Sequence, residues 1–298
     1  MDIDLKGLSA FMAIMRQGNF DRAAQSLFIT PSAISQRLKL LEEKLGQTLV
    51  VRSLPVRPTP AGAALLKYGQ QLEQLGHILE HDLQPTNQQG WLKMAIAVNA
   101  DTLATWLLEC LAPWCKAQRV VLDIRVDDQD QTHHLLQQGE VVACMSAREK
   151  VSQGCRCIPL GKVRYQCMVS PDFYSEYFPT GVTRETLLKA PMVRFNLKDD
   201  LQHAYLRQHF ELDGENLVQH TLPSAESFVQ GLILGMGFGM APEIQVQKQL
   251  EKGQLIYLTP ELPLDIPLFW HQWGIETELM RSLNSVILAG AKQVHYLN

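Results

Sequence analysis

The chain has 298 residues, 46% of them hydrophobic, and a formal net charge of −4. That length leaves room for two or three domains, and the composition is ordinary for a soluble protein. The start, MDIDLKGLSAFMAIMRQGNF, has no basic run, no signal-length apolar run and no small-residue cleavage site. No stretch approaches the roughly 20 apolar residues of a membrane span, so a cytoplasmic protein without membrane contact is expected.

The six cysteines show no CxxC pair and no flanking histidine spacing, which predicts reduced packing thiols, no metal site and no cofactor. Charge is unevenly placed. Residues 1–83 carry nine Lys/Arg against eight Asp/Glu, the remainder eighteen against twenty-three, and six bases but only Glu42 and Glu43 lie between Arg37 and Lys67. One module is therefore suited to a polyanion and the other is not.

Leu5, Leu8, Phe11, Met12 and Met15 recur at helical steps, and Gly18-Asn19-Phe20 stops that helix. A short second helix follows in DRAAQSLF, with Ala23, Ala24, Leu27 and Phe28 as its buried side. Thr30 then supplies an N-cap and Pro31 a first helical position for a third helix. Ile34, Leu38, Leu41 and Leu45 share one face of it; Ser32, Ser35, Gln36, Lys39 and Glu43 share the other. Small hydroxyls, an amide and a lysine at the front of a helix suit base edges and phosphates in a major groove, unless that face is merely solvated. QTLVVRSLPVRPTP reads as two short strands around a proline-containing turn, a wing carrying Arg52 and Arg57. Together these segments predict a winged helix-turn-helix over 1–59.

The stretch from Gly18 to Gly62, with its G-x-F, paired alanines, S-A-x-S-Q, L-E-x-x-L-G and T-x-x-G in order, resembles the DNA-binding region of LysR-type transcriptional regulators. The resemblance covers nearly all of residues 4–62. It departs where Val50 or Val51 replaces a common aromatic, which alters wing packing rather than DNA contact. Carried over by position, Pro31, Ser32, Ser35 and Gln36 face bases, Lys39 and Arg52 lie nearer phosphates, and Thr30 and Arg57 complete the DNA-binding set.

Thr59-Pro60 repeats the cap-then-proline signal, and a helix is predicted over 60–83. Ala61, Leu65, Tyr68, Leu72, Leu75 and Leu79 step by four and three, an a/d seam about 36 Å long at 1.5 Å per residue. Gly62, Gly69 and Gly76 share the position beside that seam. Close approach of a partner helix explains them, so a homodimer is predicted across Leu65, Tyr68, Leu72, Leu75 and Leu79, with 84–90 as a polar hinge.

From Trp91 strand-like and helix-like segments alternate, predicting an α/β effector domain over 91–298 with largely parallel strands in two lobes, about 91–162 with 268–298 and about 163–267. Ligands belong in the cleft between such lobes. At VNADTLATW, Val98 to Trp106, a strand breaks into a helix start that has no glycine run for phosphate and an acid, Asp101, that repels one.

This arrangement resembles the periplasmic-binding-protein-like effector domain of LysR-type regulators. AVNADTLATWLL, QGEVVACMS, YFPTGVTRETLLKAPMVRF and PSAESFVQG resemble the arginine- and lysine-responsive branch that controls basic amino acid export, although Gln138-Gly139 stands where Arg-Gly is common. The resemblance implies double-stranded DNA, a basic amino acid effector, homotetramers and contact with RNA polymerase as partners.

A zwitterion with an extra cation needs donors for its carboxylate and acceptors for its amines. Thr102, Thr105 and Arg194 are candidate carboxylate donors; Asn99, Asp101, Asp127, Asp128 and Glu226 are candidate acceptors; Ser146 and Ser224 complete the effector set. Asp101 can also serve only as a cap, and Arg194 can pair with Asp199 or Asp200.

No GxSxG, P-loop or GxGxxG occurs, and adjacent His133 and His134 lack a third ligand, so the chain is not expected to be an enzyme. An architectural protein that binds origin or curved DNA without an effector is the alternative reading.

Overall fold

The computed structural model describes residues 4–83, 90–126, 132–151 and 154–294. Their contacts gather into two compact units: Met1–Ile96 with Val121–Asp123 and His134–Val142, and Ala97–Val120 with Ile124–His133 and Ala143–Asn298.

The first unit begins with helices α1 (Leu5–Gln17), α2 (Phe20–Ser26) and α3 (Pro31–Leu45). Each has a side-chain cap. Asp4 accepts from the Lys6 and Gly7 amides, Asn19 from Asp21 and Arg22, and Thr30 from Ala33, while Gly18 and Gly46 close α1 and α3 in left-handed geometry. Phe11, Ile14, Ala23, Ala24, Ile34 and Leu38 form a core from which water is excluded. Phe28 is a correction to the expected second helix. That helix ends at Ser26, and Phe28 takes φ 55° in the turn, which swings its ring out to 96% exposure.

Strands β1 (Val50–Val51) and β2 (Arg57–Pro58) pair antiparallel as the wing. Helix α4 (Pro60–Leu83) follows; the Thr59 hydroxyl donates to the Thr48 carbonyl at 2.6 Å and accepts from the Gly62 amide at 3.0 Å. The glycine expectation changes here. A Cβ on Gly62 would collide with the Leu49 carbonyl, and one on Gly69 would collide with Met12 and meet Leu8 at 3.3 Å, whereas Gly76 has open space. Two of the three glycines therefore let α4 lie against its own helix-turn-helix rather than against a partner. The apolar stripe divides accordingly: Ala61 and Leu65 pack on the head's core, while Tyr68, Leu72 and Leu79 are exposed at 55%, 42% and 55%.

The remaining elements are β3 (Leu92–Val98), α5 (Ala100–Thr102), a π-helical turn (Leu103–Leu107), α6 (Leu108–Gln118), β4 (Val120–Val126), α7 (Thr132–Gln138), β5 (Ala143–Ser146) and β6 (Cys155–Val169). They continue with α8 (Pro171–Tyr177), α9 (Arg184–Lys189), β7 (Met192–Arg194), α10 (Leu201–Phe210), β8 (Gln219–Thr221) and α11 (Ala225–Ile233). The chain closes with β9 (Gly239–Pro242), α12 (Glu243–Glu251), β10 (Ile256–Tyr257), β11 (Leu264–Trp273) and α13 (Glu278–Val294).

Within the second unit the strand path is β10-β6-β11-β5 with β9 on the side of β6. The expected largely parallel sheet is corrected in this path. β6 runs antiparallel to β11, β9 and β10, and β11 antiparallel to β5; β7 and β8 form a separate parallel pair. The cause is that β6 and β11 carry the chain in opposite directions and pair side by side from Tyr165↔Leu264 to Cys155↔Trp273, with a register shift at Leu268/Phe269. β6 is also far longer than the QCMVS segment that reads as a strand in the sequence.

Candidate functional site

In the first unit the front of α3 presents Ser32, Gln36 and Lys39 as exposed side chains, opposite buried Ile34 and Leu38. Thr30 and Ser32 share a hydroxyl contact at 3.0 Å, and Ser35 donates to the Pro31 carbonyl at 3.0 Å, so Gln36 and Lys39 hold the most freely presented polar ends. Lys39 lies 3.6 Å from Glu43 in an exposed pair. Such a pair contributes little and yields readily to a phosphate. On the wing, the Arg52 guanidinium stands over the Phe20 ring, 5.7 Å from its centre, and Arg57 is exposed. The stacking orients Arg52 from the start of α2 without neutralising it.

In the second unit a cavity of about 350 Å³ opens where the start of α5 meets β6, β11, the 195–200 loop and the first turns of α10, α11 and α12. This volume falls in the range of small-ligand sites. Asp101, Asp199 and Asp200 line it with one lysine, Lys198, and with Phe195, Phe228, Met240 and Ile266 as apolar wall; from outside the lining, the Arg207 guanidinium pairs with Asp200 at 2.5 Å and Arg194 lies close to Asp199.

Asn99, a lining residue only 4% exposed, makes no cap bond, and its Oδ1 has no partner among the described residues. Gln202, 2% exposed at the start of α10, bonds through its side chain to the Asp199 carboxylate; this fixes its amide as the donor there and leaves Oε1 without a described partner. Buried acceptors left unpaired cost free energy that a donor-rich ligand would recover.

Both carboxylates are tuned. The Tyr165 hydroxyl donates to Asp101 Oδ2 at 2.5 Å. Burial nevertheless pushes the Asp101 carboxyl up to about 6, the Tyr165 bond lowering it and the nearby Asp199 charge raising it. Asp199 is also raised, first by burial, against the pull of the Leu201 and Phe195 amides, which it accepts at 3.0 and 3.3 Å.

Several expected effector residues do not reach the cavity. Thr105 donates back to the Asp101 carbonyl at 2.7 Å within its own helix. Thr102 is buried behind the cavity wall, and Ser146, also buried, accepts from the Arg148 amide at 3.1 Å. Arg194 lies outside the lining: its guanidinium donates to the Asn196 carbonyl at 2.8 Å, Gln219 at 3.2 Å and the Asp199 carbonyl at 3.4 Å, bracing the 195–200 loop. Ser224 caps α11 and bonds Glu226 at 3.0 Å, outside the lining. Asp127 and Asp128 lie outside the described residues.

Asn99 and Asp101 are thus the two expected residues that line the cavity. Tyr165, Lys198 and Gln202 were missed. The Asp199-Asp200-Leu201-Gln202 helix start carried the same cap-and-acid cue as Asn99-Ala100-Asp101; Tyr165, inside a strand, carried none.

Among the described residues all six cysteines are free, no three His, Cys, Asp or Glu side chains are placed to hold a metal ion, and no helix is long and apolar enough to cross a membrane.

A family model described as "Bacterial regulatory helix-turn-helix protein, lysR family" matches residues 5–63, and one described as "LysR substrate binding domain" matches 87–286. The HTH-type transcriptional regulator ArgP of Photobacterium profundum is 38% identical over 291 residues, 98% of each chain. ArgP of Pseudomonas fluorescens is 40% identical over 295 residues, 97% of each. Among solved structures, ArgP from Mycobacterium tuberculosis matches with a TM-score of 0.91 and 32% identity, covering 100% of both chains. Full-length LysG from Corynebacterium glutamicum with bound effector Arg matches with a TM-score of 0.82 and 28% identity, covering 97% of this chain and 98% of its own.

Proposed function

Since the chain belongs to the LysR family of DNA-binding transcriptional regulators, we propose that its effector is a basic amino acid, arginine or lysine, held in the cavity between α5 and α10. The single observation that carries this reading is the lining: Asp101, Asp199 and Asp200 outnumber Lys198 there even with Asp200 paired to Arg207, and two buried amide oxygens, Asn99 Oδ1 and Gln202 Oε1, have no described partner. A ligand rich in N–H donors with net positive charge completes that site; an anion or a neutral amino acid does not. Asn99 and Asp101 take the α-ammonium, Gln202 and Asp200 the side-chain cation, and Lys198 with the amides at the start of α5 the carboxylate.

The DNA contacts proposed are Gln36 and Ser32 at base edges and Lys39, Arg52 and Arg57 at phosphates. The exposed Tyr68, Leu72 and Leu79 on α4 form the seam of a homodimer that presents two recognition helices, and dimers pair into tetramers. Placing charge in the seam tests it: Leu72→Arg with Leu79→Arg lowers the sedimenting mass, and an unchanged mass refutes it. Genes for basic amino acid export are the proposed targets.

Ligand shifts the regulator only through differential affinity for its DNA-bound arrangements. Titration calorimetry of the full chain with arginine and with lysine tests the effector. Operator footprint and transcription at one stated salt concentration test the switch. Heat on binding together with a changed footprint supports the proposal; no binding of either amino acid refutes it while leaving DNA recognition intact.

A further inference from the structure

We infer that Tyr165 is a positioning residue that keeps the Asp101 carboxylate ionised and aimed at the ligand's cation, and that effector binding is in consequence proton-linked. This rests on the basic amino acid reading above and adds a regulatory property to the same site.

Three observations combine. First, Tyr165 is 2% exposed within β6, yet its hydroxyl reaches into the cavity and donates to Asp101 at 2.5 Å, so phenol and carboxylate are held together by a strand and a helix start far apart in sequence. Second, Asp101 faces an acid. The Asp199 charge acts on it, with Asp200 and Lys198 beside Asp199 on the same loop, Arg194 close to Asp199, and Arg207 and His203 of α10 at 2.5 and 3.7 Å from Asp200, while α11, β9, α12 and β11 line the cavity with Phe228, Met240, Gln245 and Ile266, none of them titratable. Third, a carboxyl in that setting prefers its proton, and burial with the Asp199 charge does push it up to about 6 despite the phenol.

A hydrogen bond donated to the ionised form favours that form. Without the Tyr165 hydroxyl the carboxyl would stay protonated at higher pH and offer no charge to an ammonium. The ligand's cation binds the ionised carboxyl, so binding displaces a proton whenever the pH is near or below the Asp101 value. The sign for the empty protein is opposite. A carboxyl raised above its unfolded value of 3.8 stabilises the fold as pH falls from about 6 towards 4, while effector affinity weakens over the same window.

Calorimetric titration of the full chain with arginine between pH 5 and 8 tests this. Affinity is expected to be flat above pH 7 and to fall through pH 6, reaching about ten-fold weaker at pH 5, one unit below the midpoint. At pH 6, binding measured in buffers of different ionisation enthalpy releases about half a proton. Tyr165→Phe keeps the buried ring, and its midpoint moves up by about one pH unit with affinity at pH 8 near the wild-type value. Asp101→Asn binds more weakly, with a flat profile and no proton release, which separates Asp101 from His203, the imidazole 3.7 Å from Asp200.

A flat wild-type profile overturns the inference without any variant, as does an unmoved midpoint in folded Tyr165→Phe. Absence of arginine and lysine binding at every pH instead refutes the effector reading on which it rests.

Discussion

The recognition face of α3 and the cavity beside α5 are both polar, but the sequence treats them differently. On α3 the polar side chains share one face of one helix, so their exposure follows from a 3.6-residue period, and Ser32, Gln36 and Lys39 stand out as the spacing requires. In the cavity each polar group comes from a different element, and its direction depends on which internal bond it has already made. Thr105 and Arg194 looked equally fit to grip a carboxylate, yet both spend their donors on nearby carbonyls. Asn99 and Gln202, plainer in sequence, are the ones left with acceptors to offer. A surface for a polymer can be read from periodicity, whereas a pocket for a small molecule must be read from what remains unsatisfied.

The contrast can be broken by substitutions that strike one region only. The largest effect is expected at Gly62: a valine there drives side-chain atoms into the Leu49 backbone and costs about 3 kcal/mol of stability. Thermal unfolding and operator binding should both collapse for the head, while arginine still binds the cavity; parallel loss of both would show that the regions are not separable.

Gln36→Ala comes next. It should relax preference at one base pair by about 1–3 kcal/mol, measured over a panel of operator variants, with arginine affinity unchanged. A uniform loss over all variants would mark Gln36 as a phosphate contact.

Gln202→Met removes the unpaired acceptor together with the amide donor to Asp199 while keeping the side-chain length. Arginine affinity should fall about ten-fold, on the order of 1–1.5 kcal/mol, at unchanged operator affinity without ligand. Unchanged calorimetric affinity would mean that the Gln202 oxygen is satisfied by water instead.

The smallest effect belongs to Lys39→Ala. It lowers the slope of log affinity against log salt by about 0.9 for each protomer on the DNA, without altering base preference. Its pair with Glu43 is too exposed for its loss to register in stability.

Much of the first unit was legible because local rules decide it. Thr30-Pro31 and Thr59-Pro60 mark helix starts that the structure keeps, and Ile34, Leu38 and Leu41 are buried as their spacing demands. The exceptions are tertiary. Phe28 was assigned to the buried side of a helix that stops two residues earlier, and a left-handed turn exposed it. Gly62 and Gly69 showed that something comes close to α4, but the sequence cannot say whether that neighbour is another molecule or the same one. In the second unit β7 and β8 run parallel as expected, but the strands paired around β6 and β11 run antiparallel, because pairing of β6 with β11 joins residues about a hundred apart. Tyr165 escaped notice for the same reason: its meaning lies in Asp101, 64 positions away.

At the foot of α4, Thr59 bonds to the Thr48 carbonyl and Gly62 admits no atom between helix and wing strand. Wing and shaft are consequently one casting, without a joint. Arg52 and Arg57 are therefore carried on a wing that is bonded and packed directly against the first turn of α4. The missing side chain at position 62 is what sets how close the first helical turn of α4 can come to the wing.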